Sequence, residues 1–329
     1  GGMIMPIMLK KYQEYSMNCT LNQVVNFYKP SGPTSFSMVR LVKRILGVKK
    51  AGHIGTLDPM AEGILLICLN QSTRIIQFLS PLSKFYQCTM TLGTATDTQD
   101  STGKTIFEGD PSMVTETQVR NVLTSFVGEQ KQVPPMYSAK KNKGIPLYKL
   151  ARNGITIERK PVSVHFYSID FINMDENRVE FEAHCSAGTY LRTLCHDIGQ
   201  KLGCGAHMSR LIRKRVGAFG QDSSVSPEAL ETANVNGELA GVLFPVEKVL
   251  EFLPEIRIND DFIEPLAHGN ALPKSSLKAY PGEFKPGMIM RVCNGSNKVL
   301  AIVEPLVDQN GFVQLGPKDI AFKLKRVLI

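Results

Sequence analysis

The segment that constrains the fold most is an apolar run, Ile64–Leu69, that directly follows a glycine-bounded loop. Such a run is short enough to form a strand that is buried on both faces. The preceding loop, Gly52–Gly63, contains Asp58 followed by Pro59. Proline drives the residue before it towards an extended backbone. The sequence therefore predicts one carboxylate held on a rigid loop at the start of a buried strand.

Strand-like and helix-like segments follow one another along the chain without regular alternation. Apolar patterns predict strands at Val24–Tyr28, Phe85–Leu92, Val162–Ile172 and Arg178–Cys185. Capping residues and helical spacing predict helices at Ser35–Leu46 with Ser35 as N-cap, at Thr115–Phe126 with a Thr115/Gln118 capping box and a terminal Gly128, at Thr189–Leu202, and from Ser226-Pro227 onwards. Since strands and helices do not alternate regularly, we expect an α+β fold.

The residue pattern changes near Leu253, after which short strand-like segments are separated by glycine and proline residues. This pattern is typical of a small β-rich module. We therefore expect an N-terminal extension over residues 1–20, a large domain over 21–250 and a β-rich module over 251–329. Within the large domain, the proline- and lysine-containing segment Val133–Gly154 predicts a basic loop followed by a short helix.

The 38 lysines and arginines exceed the 30 acidic residues, which gives a formal net charge of +8 at pH 7. This excess favours a polyanionic partner, because basic side chains displace counterions condensed on phosphates, although an unspecialised basic protein has the same balance. The cysteines form no CxxC pair, which favours reduced thiols over disulfides or a zinc site. No stretch approaches the roughly 18 apolar residues of a membrane span, so we expect a cytoplasmic location.

Three segments carry residue types able to do chemistry, and each has a purely structural alternative. Asp58 is a candidate catalytic carboxylate, although a surface turn closed by its side chain explains the same segment. Arg192, beside Tyr190 at the start of a predicted helix, can pair with a carboxylate, although most such arginines only extend into solvent. Tyr86, near the start of a predicted strand, can stack on a nucleobase, although a core position is commoner.

The chain lacks the sequence patterns of a metal centre or a nucleotide cofactor. It has no GxGxxG, no Walker-type phosphate-binding loop and no GxSxG. Metal-ligand spacing is absent among His165, His184, His196, His207 and His268. We therefore expect neither a metal nor a small-molecule cofactor.

Seven motifs, taken in chain order, resemble the TruB family of tRNA pseudouridine synthases. They are Lys29–Ser35, His53–Pro59, Lys84–Tyr86, Leu92–Asp100, Val133–Lys140, Gly188–Arg192, and Gly203–His207 with Leu211. The resemblance runs from about Val24 to Phe219, and the tail from about Leu253 is similar to a PUA-type RNA-binding domain. It implies a mixed-sheet pseudouridine synthase core, an RNA-gripping insert at residues 133–154 and a PUA-like domain at 251–329.

The resemblance also implies roles for individual residues. Asp58 matches the catalytic aspartate of the family, and Arg192 matches the arginine paired with it. His53 matches a histidine that helps the target base leave its stack, and Tyr86 matches the aromatic residue that stacks on the flipped uracil. The other matches are Tyr190 and Leu211, which surround the base and ribose, and Lys29, which lies beside the active loop.

By this resemblance, the chain converts uridine 55 in the T arm of tRNA to pseudouridine, and it acts as a monomer without a cofactor. Two alternatives stay open: a guide-RNA-dependent subunit of the same family, against which the segment Val133–Gly154 speaks, and a catalytically silent protein that binds or folds tRNA. Glu62 departs from the family pattern, which commonly has a small or hydroxylated residue there. Because a second carboxylate in the pocket would raise the pKa of Asp58, we expect Glu62 to face solvent.

Overall fold

The computed structural model describes residues 21–135, 141–142, 145–146 and 159–329, and every count of elements below refers to these ranges. The expected N-terminal extension, residues 1–20, lies outside them, as does most of the expected insert with its short helix. Where the insert is described, Lys141–Asn142 pairs with Ile145–Pro146 as a two-stranded hairpin.

A ten-stranded mixed sheet forms the centre of the large domain. Its strands are, in chain order, β1 Val24–Lys29, β2 Ala51–Ile54, β3 Glu62–Leu69, β4 Lys84–Leu92, β5 Gly128–Gln132, β6 Val162–Asp175, β7 Arg178–Cys185, β8 Ala206–Val216, β9 Phe219–Gly220 and β10 Leu243–Phe244. The spatial order is β10-β1-β3-β8-β4-β7-β6-β5, with β2 beside β3 and β9 beside β8. Only β3 and β8 run parallel within this described sheet, so the expected mixed sheet is confirmed.

Helices cover both faces of this sheet. They are α1 Ser35–Leu46, α2 Ile76–Leu79, α3 Glu116–Ser125, α4 Leu191–Leu202, α5 Pro227–Asn236 and α6 Val246–Val249, with 3-10 turns at Asn70–Ile75, Gln221–Ser223 and Leu239–Gly241. A separate hairpin pairs Thr94–Thr96 with Thr105–Glu108. The irregular order of helices and strands confirms the α+β class.

Strand β3 is buried on both faces, as its apolar run predicts. Leu65 and Ile67 pack with α1 and α5 in one hydrophobic cluster. Ile64 and Leu66, on the opposite face, pack in a second cluster. Side chains on both faces of β3 are therefore buried away from water, which stabilises the position of the strand. The loop that leads into β3 is anchored by the same burial.

The predicted N-cap of α1 is wrong by one residue. Thr34, not Ser35, caps the helix, because the Thr34 hydroxyl accepts from the Ser37 backbone N–H at 3.0 Å. The Ser35 hydroxyl is buried and bonds Leu57 twice: it donates to the Leu57 carbonyl at 3.0 Å and accepts from its N–H at 2.9 Å. Ser35 therefore ties the helix start to the loop that carries Asp58.

Other boundaries differ by a few residues. The predicted loop at Gly52–Gly63 is shorter, because Ala51–Ile54 pairs with β3 as strand β2. The Thr115/Gln118 capping box is confirmed, but α3 ends at Ser125 with Phe126 as its C-cap, and Gly128 instead begins β5. Tyr190 is the residue that precedes α4 as its N-cap. The first of these differences comes from backbone pairing between distant strand segments, which local residue spacing does not encode.

The C-terminal module is a second, six-stranded sheet with its own core. Its strands are β11 Glu255–Ile258, β12 Leu272–Pro273, β13 Leu277–Ala279, β14 Met290–Cys293, β15 Val299–Pro305 and β16 Ile320–Val327, accompanied by α7 Ile263–Ala267, α8 Gln309–Gln314 and 3-10 turns at Asp260–Phe262 and Lys274–Ser276. The expected β-rich character is confirmed. Val299 and Ile302 also join the cluster of Ile64 and Leu66, so the module packs directly on the large domain.

Two simple properties follow from the described ranges. No helix in these ranges is both long and apolar enough to cross a membrane.

The described ranges contain six cysteines, all buried with free thiols: Cys68, Cys88, Cys185, Cys195, Cys204 and Cys293.

Candidate active site

The loop between β2 and β3 is held at both ends by buried groups. At its start, Gly55 has a positive φ of 67° and lies against Arg213: a Cβ there would come within 3.2 Å of the Arg213 guanidinium. At its end, Gly63 has φ 112°, and a Cβ would meet the Arg213 carbonyl at 2.2 Å. A side chain would be strained at both positions, so glycine at 55 and 63 allows the close approach of Arg213.

The buried side chain of Lys29 anchors the second half of the loop between β2 and β3. Its fully buried ammonium donates to the carbonyls of Pro30 at 2.9 Å, Pro59 at 3.1 Å and Ala61 at 2.6 Å. Burial lowers the pKa of Lys29 to about 8, against the opposing effect of the Asp58 carboxylate. Because three carbonyls converge on one cation, Lys29 fixes the backbone that follows Asp58 and ties it to the end of β1. It lies outside the cavity described next.

Asp58 forms an ion pair with Arg192, which comes from the first turn of α4. The Arg192 Nε lies 2.9 Å from Oδ2 of Asp58, and Nη2 donates to Oδ1 at 3.3 Å. The two-point contact fixes the carboxylate plane as well as its position. The Arg192 side chain is buried, whereas the Asp58 side chain keeps 32% of its surface exposed. The carboxylate therefore presents one edge to the arginine and another to an open space.

Asp100 is a second carboxylate on the same arginine. Its Oδ2 lies 3.7 Å from Nη1 of Arg192, and its Oδ1 accepts from the Thr98 hydroxyl and from the N–H and hydroxyl of Thr102. The Arg192 Nη1 also donates to the Thr98 carbonyl at 3.1 Å. Asp100 and Thr98 therefore orient Arg192 towards Asp58.

The pKa of Asp58 is raised above the usual value for an aspartate. Burial is the largest cause and favours the neutral form, and the nearby Asp100 carboxylate acts in the same direction. Arg192 and Lys29 oppose both effects. Arg192 thus offsets only part of the cost of burying the Asp58 carboxylate. In an exposed ion pair, where burial adds no cost, the arginine would instead lower the pKa of the aspartate below its usual value.

Six of the seven expected site residues line one cavity of about 380 Å³: His53, Asp58, Tyr86, Tyr190, Arg192 and Leu211. Burial and the neighbouring Arg213 lower the pKa of His53, which favours its neutral imidazole. Burial raises the pKa of the Tyr86 phenol. The Tyr190 backbone is held by Gln132 at the end of β5, with bonds of 3.0 Å to its N–H and 3.2 Å to its carbonyl.

The cavity also contains two cations for which the sequence predicts no role, Lys84 and Arg213. Arg213 donates to the carbonyls of Ile64 and Gly55 at 2.7 and 2.8 Å. Lys84 belongs to the motif Lys84–Tyr86, so the family resemblance already marked this segment as part of the site. No strand is predicted around Arg213, which stands in a run of three consecutive cations, Arg213–Arg215, so nothing in the sequence indicates that it faces the interior.

Glu62 is not part of this cavity. Its carboxylate lies 2.7 Å from the Arg210 guanidinium, and its side chain is 20% exposed. We expected Glu62 to face solvent; it lies outside the cavity, but its carboxylate is mostly covered and paired with Arg210. Glu62 therefore adds no second negative charge beside Asp58.

Among the described residues, no group of three or more histidine, cysteine, aspartate or glutamate side chains has the geometry of a metal site. The cavity combines one partly exposed carboxylate, three buried cations (Lys84, Arg192 and Arg213) and aromatic rings. Such a cavity suits a bound planar ring without charge. The carboxylate can then attack that ring or its substituent, or stabilise positive charge that develops beside it.

The raised pKa of Asp58 leads to a prediction about pH. If the ionised carboxylate is the active form, the single-turnover rate falls as the pH drops through the pKa of Asp58. Asp100→Asn removes a neighbouring negative charge, so we expect it to move this acid limb to lower pH. The rate of product formation against pH measures the shift, with Asp97→Asn, an exposed carboxylate of the same segment, as the matched control. Coincident acid limbs for Asp100→Asn and the wild type would contradict the electrostatic account.

Two sequence-family models match most of the large domain. The N-terminal domain of the TruB family pseudouridylate synthases matches residues 43–191, and the C-terminal domain of tRNA pseudouridylate synthase B matches residues 192–251. The two matches meet between Leu191 and Arg192, so the ion pair of Asp58 and Arg192 joins both matched segments.

Individual proteins match over nearly the whole chain. The tRNA pseudouridine synthase B of Clostridium tetani is 44% identical across 94% of this chain and 100% of its own length. That of Thermotoga maritima is 43% identical across 84% of this chain and 88% of its own. Among solved structures, a Cbf5–Nop10–Gar1 complex contains a chain that is 29% identical, with a TM-score of 0.76 over 94% of this chain and 85% of that one.

Proposed function

Because the chain belongs to the TruB family of tRNA pseudouridine synthases, we propose that it isomerises uridine 55 in the T arm of tRNA, with Asp58 as the catalytic carboxylate. The observation that carries the proposal is the Asp58–Arg192 ion pair at the edge of a cavity lined by Tyr86 and Tyr190. The carboxylate is partly exposed, held in orientation by Arg192, and faces a cavity of about 380 Å³.

The first step is extrusion of the target nucleotide from the RNA stack. Unstacking costs a few kcal/mol, and stacking on an aromatic side chain with contacts to the base edge offsets this cost. Tyr86 provides the stacking surface, and Tyr190 and Leu211 enclose the base and ribose. His53, neutral and at the cavity wall, helps the base leave its stack.

The second step exchanges one bond for another on the same nucleotide. The C1′–N1 bond breaks, the uracil turns, and C5 joins C1′ while the C5 proton is released and N1 regains a proton. Asp58 attacks the sugar, attacks the base, or assists elimination; each route needs the ionised carboxylate. No electrons are gained or lost overall, so the reaction requires no redox cofactor.

The remaining parts of the chain serve RNA binding in this proposal. The C-terminal module, residues 251–329, acts as a PUA-like RNA-binding domain, and the insert at 133–154 grips the tRNA. Gln132, which holds the Tyr190 backbone, stands at the base of that insert, so RNA contact there is transmitted to the cavity wall. We propose that the chain works as a cytoplasmic monomer without a guide RNA.

The test is conversion of an unmodified tRNA transcript by the purified chain alone. The proposal expects pseudouridine at position 55, and none at that position in a transcript with cytidine 55. Conversion only after addition of guide RNA and partner proteins would instead support the guide-dependent function, which the structural likeness to the Cbf5 complex makes the second candidate. Binding without conversion under either condition would support a catalytically silent tRNA-binding protein.

A further inference from the structure

Two buried cations form part of the cavity wall on neighbouring strands. Lys84 begins β4, and Arg213 lies in β8, where it faces Tyr86 across the strand pair. Lys84 is 5% exposed and Arg213 is 1% exposed, yet both line the same space as Asp58. Burying one cation is costly, and burying two of the same sign close together is costlier. Such an arrangement requires a compensating group.

Backbone carbonyls satisfy these cations without neutralising them. The Lys84 ammonium donates to the carbonyls of Ser80 and Leu82, and the Arg213 guanidinium donates to those of Gly55 and Ile64. Within the ranges described, neither side chain forms an ion pair with a carboxylate. Arg192, in contrast, is shared by two carboxylates. The cavity therefore has one neutralised end and one end with excess positive charge.

Lys84 keeps its proton at neutral pH despite its burial. Burial and the charge of Arg213 lower the pKa of Lys84 to about 8, which is still above 7. The excess positive charge at this end of the cavity is therefore present when the protein works near neutrality.

Because Lys84 and Arg213 are almost wholly buried, only some chemical groups of an RNA can contact them. A phosphodiester continues into backbone on both sides, so it cannot enter a narrow cavity to contact side chains that are almost wholly buried. The base of an extruded nucleotide is a free end and can enter. Tyr86, proposed to stack on that base, lies directly opposite Arg213 in the pairing of β4 with β8, and both residues line the cavity. The cations thus lie beside the base rather than beside the backbone.

We propose that Lys84 and Arg213 stabilise the negative charge that the uracil ring carries during isomerisation. The inference rests on the proposed function. When C1′–N1 breaks, the bonding electron pair stays on the ring and spreads from N1 to the carbonyl oxygens. Addition of Asp58 to the base would likewise place negative charge on the ring. Fixed cations aimed at developing charge in a water-poor site lower the barrier without reorganising. The charge disappears when C5 bonds to C1′, the C5 proton leaves and N1 is protonated.

The test compares two leaving bases in two lysine variants. Single-turnover cleavage of the N-glycosidic bond at position 55 is measured by nucleoside mass spectrometry on tRNA containing uridine or 5-fluorouridine. Fluorine at C5 withdraws electrons and stabilises a ring anion by itself. We expect Lys84→Met to slow the uridine reaction by on the order of 10²-fold. On the fluorinated tRNA the loss should be roughly ten times smaller. Lys84→Arg, which keeps the charge, should restore most of the rate.

Controls separate charge stabilisation from binding and folding. Lys49→Met removes an exposed lysine by the same substitution and should leave the saturated single-turnover rate unchanged. Thermal melting checks that each variant is folded, and Lys84→Gln replaces Lys84→Met if the latter is not. Equal losses on the two substrates, or no loss, would overturn this inference alone. A wild-type protein that converts neither substrate would overturn the proposed function first.

Discussion

Replacing Asp58 with asparagine is expected to abolish pseudouridine formation while leaving tRNA binding intact. Asparagine has the same shape but cannot supply an anionic oxygen, and removing a nucleophile costs on the order of 10⁴–10⁶ in rate in well-studied enzymes. Nucleoside analysis after prolonged incubation measures the yield, and a filter-binding titration measures the tRNA affinity. Conversion at the wild-type yield would remove Asp58 from its role.

The same variant should be at least as stable as the wild type at neutral pH. The pKa of Asp58 is higher in the folded protein than in an unfolded chain, so its contribution to stability is fully present below the unfolded pKa. That contribution is lost as the pH rises through the folded pKa, and at pH 7 the ionised carboxylate is a net cost. Asp58→Asn removes this cost. A large fall in melting temperature would show that the ion pair with Arg192 is mainly structural.

Replacing Arg192 with methionine is expected to reduce both stability and activity. The substitution leaves the Asp58 and Asp100 carboxylates close together without their shared cation, and breaking a buried ion pair in this way costs about 3–5 kcal/mol. The pKa of Asp58 should rise further, so any residual activity requires a higher pH. Chemical denaturation and single-turnover rates against pH measure the two effects.

A surface arginine provides the matched control for Arg192. Arg120 pairs with Glu116 one turn away on α3, and both side chains are about half exposed. Pairs of this kind contribute about 0–1 kcal/mol, so Arg120→Met should change stability little. Arg192→Lys keeps the charge but loses the two-point contact, and it should fall between the wild type and Arg192→Met. Equal effects of Arg120→Met and Arg192→Met would contradict the central role of the buried pair.

The elements nearest the site were predictable because their signals are local. The apolar run Ile64–Leu69, the glycine-bounded loop Gly52–Gly63 and the Asp58-Pro59 step all reflect backbone and burial requirements of their own segment. The partnership of Asp58 with Arg192 is different, because 134 residues separate them. Local chemistry offered only a candidate arginine, and the family resemblance supplied the pairing.

The features that the sequence did not predict are those that depend on three-dimensional neighbours. Ser35 looks like an N-cap because a hydroxyl at a helix start usually has that role, yet its hydroxyl bonds Leu57 across the site loop. Arg213 stands in a run of three cations for which the sequence predicts no strand, and the parallel pairing of β3 with β8 places it against Gly55 and Gly63. Asp100 stood in a recognised motif, but its contact with Arg192 requires the fold.

The most direct test of the central claim is a nucleotide-resolution map of pseudouridine in cellular tRNA. Cells that lack the chain are complemented with the wild type or with Asp58→Asn at equal expression. The account predicts that pseudouridine at position 55 disappears without the chain, returns with the wild type and stays absent with Asp58→Asn. Persistence of the modification in cells without the chain, or its return with Asp58→Asn, would contradict it.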